Sequence, residues 1–479
     1  MSYKSISYIL GWIMKVEGVF MFLPLLVALI YREKTWVVFL GCALFCLALG
    51  FVLSYKKKRE ELQLFAREGY VSVALGWILM SLVGALPLWL SGDISSYTDA
   101  LFEIISGFTT TGSSILVDVE ALSRGVMFWR CFTHWLGGMG VLVFILQIMP
   151  LSSGQTMNLM RAESPGPSVS KLVPRVKETA FFLYGIYLTM TVLEVILLLL
   201  GKMPLFDTLC TVFGTAGTGG FGIWADSMAR YSPYIQVIVT IFMLLFGVNF
   251  TFYYLLLTKR VKEAFHSEEI FVYFGIFAVS TILIALNIFS GIGSLADSFR
   301  HAAFQVSSIM TTTGFATTDF DKWPEFSRTL LVMLMFVGAC AGSTGGGIKI
   351  SRILMYLKTM KKELAFLIHP RSVKVVMMDG KKLEHTVVRA ANIFLLSYLA
   401  ILSLSVLLVS IDGYDFTTTV TAVITALNNV GPGLSMVGPA GNFAFFSDLS
   451  KYVLMFDMLA GRLEIFPMLL LFVPYTWKK

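Results

Sequence analysis

The chain has 479 residues, of which 56% are hydrophobic and only 14% are charged. Soluble globular domains carry about 25% charged residues, so this composition excludes a soluble globular protein and indicates a polytopic membrane protein. The formal net charge of +7 does not call for nucleic acid as a partner, because the basic residues of membrane proteins concentrate in their cytoplasmic loops.

Two apolar spans come first, over residues 6–31 and 35–55, in an N-terminal part that ends near residue 66. One pattern then occurs four times: a span, a short apolar segment, a turn with glycine and a second span. The short segments hold fewer than the roughly 20 residues that a helix needs to cross a bilayer, so we predict re-entrant half-helices. The N-terminal part and the four units cover residues 1–66, 67–160, 161–266, 267–375 and 376–479.

The four turns align on one glycine each, at Gly112, Gly220, Gly314 and Gly431. The quartets TTTG, GTGG, TTTG and NNVG end at these glycines. Four span–pore helix–span (M1-P-M2) units in one chain can surround a single axis, as four subunits do in a tetrameric channel. We therefore predict an all-α integral membrane protein with ten transmembrane helices and four re-entrant pore helices around one pseudo-fourfold pore.

The turns have the chemistry of a filter for K⁺. Potassium gives up its water only where oxygens replace it, and rings of backbone carbonyls do so. Glycine adopts the left-handed conformations that direct successive carbonyls toward one axis, and the short helices point their negative C-terminal ends at that axis. One TTTG alone is more often a helix cap, whereas four turns in the same setting predict a filter. The candidate K⁺ ligands are Thr110, Thr111, Gly112, Thr218, Gly219, Gly220, Thr312, Thr313, Gly314, Asn429, Val430 and Gly431.

The four quartets are not equivalent. The second has glycine where the first and third have threonine, and the fourth has no hydroxyl group. A pore with four unlike quadrants holds fewer well-formed sites than a symmetric one. We therefore expect the best ion site near the four aligned glycines, and discrimination against Na⁺ that is real but imperfect.

A second candidate element is the segment 338–347, which reads GACAGSTGGG inside the second span of the third unit. Small residues in a membrane helix often serve close helix packing, but glycine at this density favours a movable loop, and we predict a gate below the filter. Lys349 and Arg352 follow, and they either reach the cytoplasmic surface or bind a carboxylate or carbonyl in the closed state. The candidate gate residues are Gly338, Gly342, Gly345, Gly346, Gly347, Lys349 and Arg462.

Seven motifs carry a resemblance to a known family: TTTGSS, TGGFG, TTTGFATTDFDKWP, NNVGPG, WLGGMG, GACAGSTGGGIKISR and GRLEIFP. With them the chain resembles the Trk/Ktr/HKT potassium-transport superfamily over nearly its whole length. Because it has two additional N-terminal spans, the chain resembles the membrane subunit of the Trk system most within this superfamily. The resemblance implies a homodimer with one pore per protomer, K⁺ bound in the filter as the transported ion, and a cytosolic TrkA-type regulatory subunit that binds nucleotide.

Arg462 lies in the GRLEIFP motif of the last span, at a depth where a charge normally faces a partner or a cavity. Its family counterpart lies close to the permeation path, where a fixed cation sets a barrier between filter and cytoplasm. Local pairing with Asp457 or Glu464 is the alternative. Four further polar groups are expected to pair inside the helix bundle: Glu103, Arg130, His134 and Glu194.

We expect K⁺ uptake across the bacterial inner membrane, with a cytosolic partner docked on basic loops such as 358–382. Other basic clusters, at 56–59 and 161–177, are assigned to the same side of the membrane. Secondary symport of K⁺ with H⁺ or Na⁺ is the alternative, and it needs a second ion site and alternating access. A non-conducting sensor or scaffold is the third hypothesis. The sequence has no Walker A or HExxH motif, so we expect neither an enzyme nor an organic cofactor.

Overall fold

The structure is a computed structural model that describes residues 1–55, 65–138, 140, 176–371 and 374–478. Helices make up most of these residues. They are α1 (Tyr3–Phe20), α2 (Phe22–Ile30), α3 (Trp36–Ser54), α4 (Ala66–Gly84), α5 (Leu86–Leu90), α6 (Tyr97–Phe108), α7 (Arg124–Gly138), α8 (Val176–Leu200), α9 (Leu205–Gly217), α10 (Pro233–Phe246), α11 (Phe250–Leu257), α12 (Val261–Ala264), α13 (Glu268–Ile292), α14 (Leu295–Met310), α15 (Glu325–Val337), α16 (Ile350–Ile368), α17 (His385–Val409), α18 (Phe416–Asn428), α19 (Asp448–Arg462), α20 (Phe466–Phe472) and α21 (Pro474–Trp477). Between α16 and α17, the strands β1 (Met377–Met378) and β2 (Lys381–Lys382) pair antiparallel, a small departure from the predicted all-α fold.

Six helical segments of the described chain are long and apolar enough to cross a membrane, and the bent pair α10 and α11 makes a seventh if it counts as one span. The six are Tyr3–Ile30, Trp36–Ser54, Ala66–Leu90, Phe181–Leu200, Glu268–Ile292 and His385–Asp412. Their outward faces expose large apolar side chains such as Leu286 and Leu396, as expected for contact with lipid. The membrane character of the chain is therefore confirmed, while the number of ten spans stays a prediction.

Part of the predicted architecture falls outside the described residues. The second span of the first unit was predicted over 126–150, and the structure describes it as α7 up to Gly138 and then residue 140 alone. The basic cluster 56–59 and most of the cluster 161–177 also lie outside the described ranges.

Four short helices, α6, α9, α14 and α18, lie where the half-helices were predicted, with lengths of 12, 13, 16 and 13 residues. Side chains at three of their N-termini accept backbone N–H groups that the helix itself leaves unpaired. These caps are Ser96 in α6, Ser294 in α14 and Asp415 in α18. The C-terminal halves of all four helices are buried, so their carbonyl ends point into the interior of the protein.

Interruption of the second span is not confined to the third unit. The axes of α10 and α11 differ by 88°, α15 and α16 are separated by residues 338–349, and α19 ends at Arg462 before α20 begins. The bend between α10 and α11 has a visible cause. The carbonyls of Phe246 and Gly247 accept N–H groups of Thr344 (3.4 Å) and Cys340 (3.1 Å), so the loop binds backbone groups that a straight helix would have paired internally.

Candidate ion filter and intramembrane loop

The four short helices end in turns of one backbone shape. We define turns 1 to 4 as residues 109–112, 217–220, 311–314 and 428–431. In each turn, the aligned glycine and the residue two positions earlier have left-handed φ angles. These angles are 55° at Thr110, 84° at Gly112, 55° at Thr218, 72° at Gly220, 60° at Thr312, 88° at Gly314, 56° at Asn429 and 102° at Gly431. A left-handed threonine costs about 1–2 kcal/mol, so its recurrence at one position indicates a shape that the surroundings impose.

The turns meet in a closed ring that follows the order of the chain. Each aligned glycine lies against the backbone carbonyl of the residue just before the aligned glycine of the next turn. A Cβ atom at any of the four glycines would overlap or crowd that oxygen, so only glycine fits. The neighbours are Gly112 with Gly219, Gly220 with Thr313, Gly314 with Val430 and Gly431 with Thr111. Because turn 4 returns to turn 1, the four turns surround a common centre.

Turns 1 and 3 are held by the same pair of hydroxyl contacts. In turn 1 the hydroxyl oxygens of Thr109 and Thr111 are 2.8 Å apart, and in turn 3 those of Thr311 and Thr313 are also 2.8 Å apart. The first threonine of each pair donates to a carbonyl one helical turn earlier, at 2.6 Å. The two TTTG quartets are therefore structurally equivalent, as their sequences predict.

Turn 4 uses amides in place of hydroxyls. The Asn429 side chain donates to the Thr111 hydroxyl (2.9 Å) and to the Met458 carbonyl (2.9 Å), and so it ties turn 4 to turn 1 and to α19. The Asn428 side chain donates to the Tyr398 hydroxyl at 2.8 Å. The absence of hydroxyls in NNVG thus does not leave this turn without side-chain support.

One cavity opens directly on the ring, and its lining includes all four aligned glycines together with Arg130 and Phe221. Arg130 is only 1% exposed, and its charge is balanced by Glu103, with Nε 2.6 Å from Oε1. Glu103 also accepts from the Ser114 hydroxyl (2.8 Å) and the Ile115 N–H (2.9 Å). Arg130 and Glu103 were each expected to pair inside the bundle, and they pair with each other, so the ring does not face an uncompensated arginine.

The glycine-rich segment is a loop that touches the ring. It leaves α15 at Gly338, with φ of 71°, and enters α16 after Lys349, with φ of 76°. The Gly346 N–H donates to the Thr312 hydroxyl of turn 3 (2.7 Å), and the Gly347 N–H donates to the Asn428 carbonyl of turn 4 (3.1 Å). Any displacement of the loop therefore breaks two hydrogen bonds to the ring.

Lys349 and Arg352 bind groups inside the protein. Lys349 is 2% exposed, and its ammonium donates to the Gly345 carbonyl within the loop. Arg352 forms an ion pair with Glu464, and its guanidinium lies 4.0 Å from the centre of the Phe394 ring. Of the two alternatives raised by the sequence, binding to a carbonyl or a carboxylate is the one observed.

Arg462 lies between the loop and α7. It donates to the Thr344 carbonyl of the loop at 2.8 Å. It also donates to the carbonyls of Gly137 (2.5 Å) and Gly138 (2.9 Å) at the end of α7. Asp457, one of the partners considered from the sequence, accepts a hydrogen bond from Ser405 at 2.7 Å. The arginine therefore links its own helix, α19, to the loop and to α7 through backbone carbonyls of those two elements.

Comparison with known proteins gives the family. The family model "TrkH: Cation transport protein" matches residues 36–479. The chain belongs to the TrkH family of cation transport proteins. It is 36% identical to the Trk system potassium uptake protein TrkH of Salmonella typhimurium over 488 residues, which cover 100% of both chains. It is 32% identical to the Trk system potassium uptake protein TrkG of Escherichia coli K12 over 480 residues, 99% of each. The crystal structure of the potassium transporter TrkH from Vibrio parahaemolyticus matches 100% of both chains, with a TM-score of 0.89 and 33% identity.

Membership of the TrkH family confirms the resemblance that the seven motifs carry. These relatives are transport proteins and not enzymes. The chain is a multi-pass protein of the bacterial inner membrane.

Sequence reasoning missed one residue of this TrkH-family site. Glu269, in the first turn of α13, accepts the N–H groups of Ala341 (2.7 Å) and Ser351 (3.1 Å) with a single carboxylate oxygen. It therefore fastens the loop on one side and the start of α16 on the other. The sequence did contain a signal for this role, namely a carboxylate at the edge of an apolar span. Burying such a carboxylate is costly unless it has partners.

Proposed function

We propose that the chain is a channel-like K⁺ uptake protein whose filter is the ring of turns 1 to 4. The observation that carries this proposal is the closed ring itself, in which four turns of the same left-handed pattern follow one another in chain order. The names of the relatives, which are potassium uptake proteins, support the choice of ion. The twelve candidate ligands in the four turns would supply backbone carbonyl and side-chain oxygens in place of water.

In this proposal the four span–pore helix–span units surround the ring, with ten spans and four re-entrant helices in total. The carbonyl ends of α6, α9, α14 and α18 point inward and add negative potential at the ring. This arrangement favours a dehydrated cation. Because turns 2 and 4 differ from turns 1 and 3, we expect preference for K⁺ over Na⁺ without complete exclusion of Na⁺.

The loop 338–347 is proposed as the gate, with Lys349 and Arg462 as the charges that hold it. Both cations lie at the loop, and both bind its carbonyls. A passing cation would meet these fixed positive charges and the loop backbone together, so the path opens only when the loop moves. The two hydrogen bonds from the loop to turns 3 and 4 make its position sensitive to the filter.

Regulation by a cytosolic TrkA-type subunit is proposed to act through the β1–β2 hairpin. Lys358 of α16 forms an ion pair with Glu268 and donates to the Met377 carbonyl at 2.8 Å. Asp379 of the hairpin accepts the Glu268 N–H at 2.8 Å. Glu268 is the direct neighbour of Glu269, which binds the loop at Ala341 and the start of α16 at Ser351. A partner that displaces the hairpin would therefore pull on the start of α13. A homodimer with one pore per protomer completes the proposal.

The deciding experiment compares uptake of Rb⁺ and Na⁺ by the purified protein in vesicles. The unmutated protein should take up Rb⁺ faster than Na⁺. Gly431→Ser should lower this preference about fivefold or more, because a side chain at φ of 102° and 2.8 Å from the Thr111 carbonyl distorts the ring. Gly185→Ser is the matched control, since a Cβ at Gly185 meets no atom within 4 Å. Equal uptake of both ions by the unmutated protein would refute the proposal.

A further inference from the structure

Turn 2 lacks the side chains that support the other turns. Turns 1 and 3 place threonine hydroxyls three residues and one residue before the aligned glycine, and these hydroxyls contact each other. Turn 4 has Asn428 and Val430 at these two positions. In turn 2 both positions are glycine, Gly217 and Gly219. The hydroxyl of the left-handed Thr218 between them donates to the Gly217 carbonyl at 2.6 Å, but the paired threonine hydroxyls of turns 1 and 3 have no counterpart inside turn 2.

His134 of α7 fills the space that these two glycines leave. A Cβ atom on Gly219 would overlap three atoms of the His134 ring, and one on Gly217 would overlap the His134 backbone carbonyl. The imidazole is fully buried. The imidazole thus takes the place of a threonine side chain at Gly219, and the His134 backbone lies where one at Gly217 would be.

The two hydrogen bonds of the His134 side chain determine its tautomer and show which two segments it connects. The Phe221 N–H donates to Nε2 at 3.2 Å, so Nε2 is the unprotonated nitrogen. Nδ1 lies 2.8 Å from the Gly107 carbonyl, which only accepts, so Nδ1 carries the hydrogen. A neutral imidazole therefore connects the end of α6 to the residue that follows Gly220.

Arg130 supports the same turn from one helical turn earlier. Residues four apart lie on one face of a helix, and here that face is directed at Phe221. The Arg130 guanidinium lies 3.6 Å from the centre of the Phe221 ring. The centres of the His134 and Phe221 rings are 4.2 Å apart. Arg130 also donates to the Gly222 carbonyl at 2.9 Å. The segment after Gly220 is thus held both through the Phe221 side chain and through the Gly222 backbone.

We propose that His134 is the positioning residue of turn 2. It supplies from α7 the support that turns 1 and 3 obtain from their own threonines, and it sets the direction of the carbonyls between Thr218 and Gly220. His134 acts through the turn and does not touch the ion. Its effect on ion preference rests on the proposed filter function, whereas its packing against Gly219 does not.

The test is a double-mutant cycle of His134→Ala and Gly219→Ala. The first change leaves a void behind the turn, and the second drives a Cβ into the imidazole, while the double variant lets the new Cβ occupy the vacated space. We expect each single change to lower the Rb⁺/Na⁺ uptake ratio about fivefold or more, and the double variant to return to within about threefold of the unmutated protein. His385→Ala, at an exposed histidine, is the control and should leave the ratio unchanged.

Thermal unfolding of the same variants separates the two proposals. The unfolding temperatures should show the same compensation in the double variant, whether or not the protein conducts. Additive losses in unfolding temperature, or a His134→Ala protein with an unchanged uptake ratio, overturn the role of His134. A protein that takes up neither ion, but shows the thermal compensation, overturns the filter and leaves His134 as the support of turn 2. If His134→Ala does not fold, Gly219→Ala decides alone, and an unchanged ratio in that variant overturns the proposal.

Discussion

At the scale of single residues, the ring glycines are easier to predict than the groups that hold them. Gly112 and Gly314 have φ of 84° and 88° and a carbonyl where Cβ would lie. Such positions accept only glycine, so both residues can be recognised in the sequence. His134 is 86 residues before Gly220 in the chain, and its role depends on how α7 packs. No local sequence pattern predicts such a contact. The same holds for Glu269, whose two partners lie 72 and 82 residues away.

The N-terminus of α18 allows a test of a single cap. Hydrogen bonds from Thr418 hold the pKa of Asp415 below its ordinary value of 3.8. A depressed carboxyl pKa means that the charged cap stabilises the fold above the unfolded-state pKa, and that this contribution is lost as the pH falls through the folded-state pKa. Asp415→Ala should lower the unfolding temperature by about 1 °C at pH 7, as expected for a cap contribution of about 1 kcal/mol.

Differential scanning fluorimetry at pH 7 and pH 3 checks this expectation. The difference between the unmutated protein and Asp415→Ala should shrink at pH 3. Asp415→Asn is the control, because asparagine also caps helices well and carries no charge that titrates. A difference between the unmutated protein and Asp415→Ala that is the same at both pH values would contradict the role of the carboxylate charge.

At the scale of elements, the four half-length helices and the glycine loop follow from the sequence, and the breaks in α10–α11 and α19–α20 do not. Length and apolar content locate the short helices. The bend at Gly247 depends on hydrogen bonds from Cys340 and Thr344, which come from another unit of the chain. Hydrogen bonds between backbone groups of different elements leave no periodic pattern in the sequence.

Glu269 provides a test of the loop that leaves the loop sequence intact. Glu269→Ala removes the acceptor of the part-buried Ala341 N–H and of the buried Ser351 N–H, and an unpaired buried group costs about 1–3 kcal/mol. The loss destabilises the position that the loop has in this structure, so Rb⁺ flux measured without any partner protein should rise severalfold. Glu269→Gln keeps one carbonyl oxygen for both N–H groups and should behave nearly as the unmutated protein. Equal flux in the two variants would contradict the anchoring role.

Shortening the segment 338–347 tests the gate directly. If the loop blocks the path, removal of two or three of its glycines should raise Rb⁺ flux in vesicles, because fewer residues remain to occupy the space below the ring. Close helix packing, the alternative raised by the sequence, predicts lower stability with unchanged flux. Flux and unfolding temperature measured on the same preparation distinguish the two outcomes.

At the scale of the whole molecule, composition and motifs establish the class and the family, while the span count does not follow from them. The described helices include six spans, or seven with the bent pair, because a span broken by a loop or a bend no longer has an uninterrupted apolar length. The bend between α10 and α11 and the loop between α15 and α16 are therefore the features that hide the number of spans from a count by apolar length.

A passive pore and a coupled symporter differ in their reversal potential. If the ring is a channel filter, the reversal potential of vesicles with a K⁺ gradient should follow that gradient, and a superimposed pH gradient should leave it unchanged. The same measurement with a Na⁺ gradient serves as the control for the second possible coupling ion. A reversal potential that shifts with pH would favour symport with H⁺ and exclude the simple pore.

The ring closes within one polypeptide, and this has a genetic consequence. In a channel assembled from four identical subunits, a cell that carries a normal and an altered gene copy produces rings of mixed composition. Here every ring is translated as a unit, so each molecule is wholly normal or wholly altered at a given turn. A substitution in one turn therefore changes one quadrant of a ring and leaves the other three unaltered, so the quartets of turns 2 and 4 can differ from those of turns 1 and 3 within the same ring.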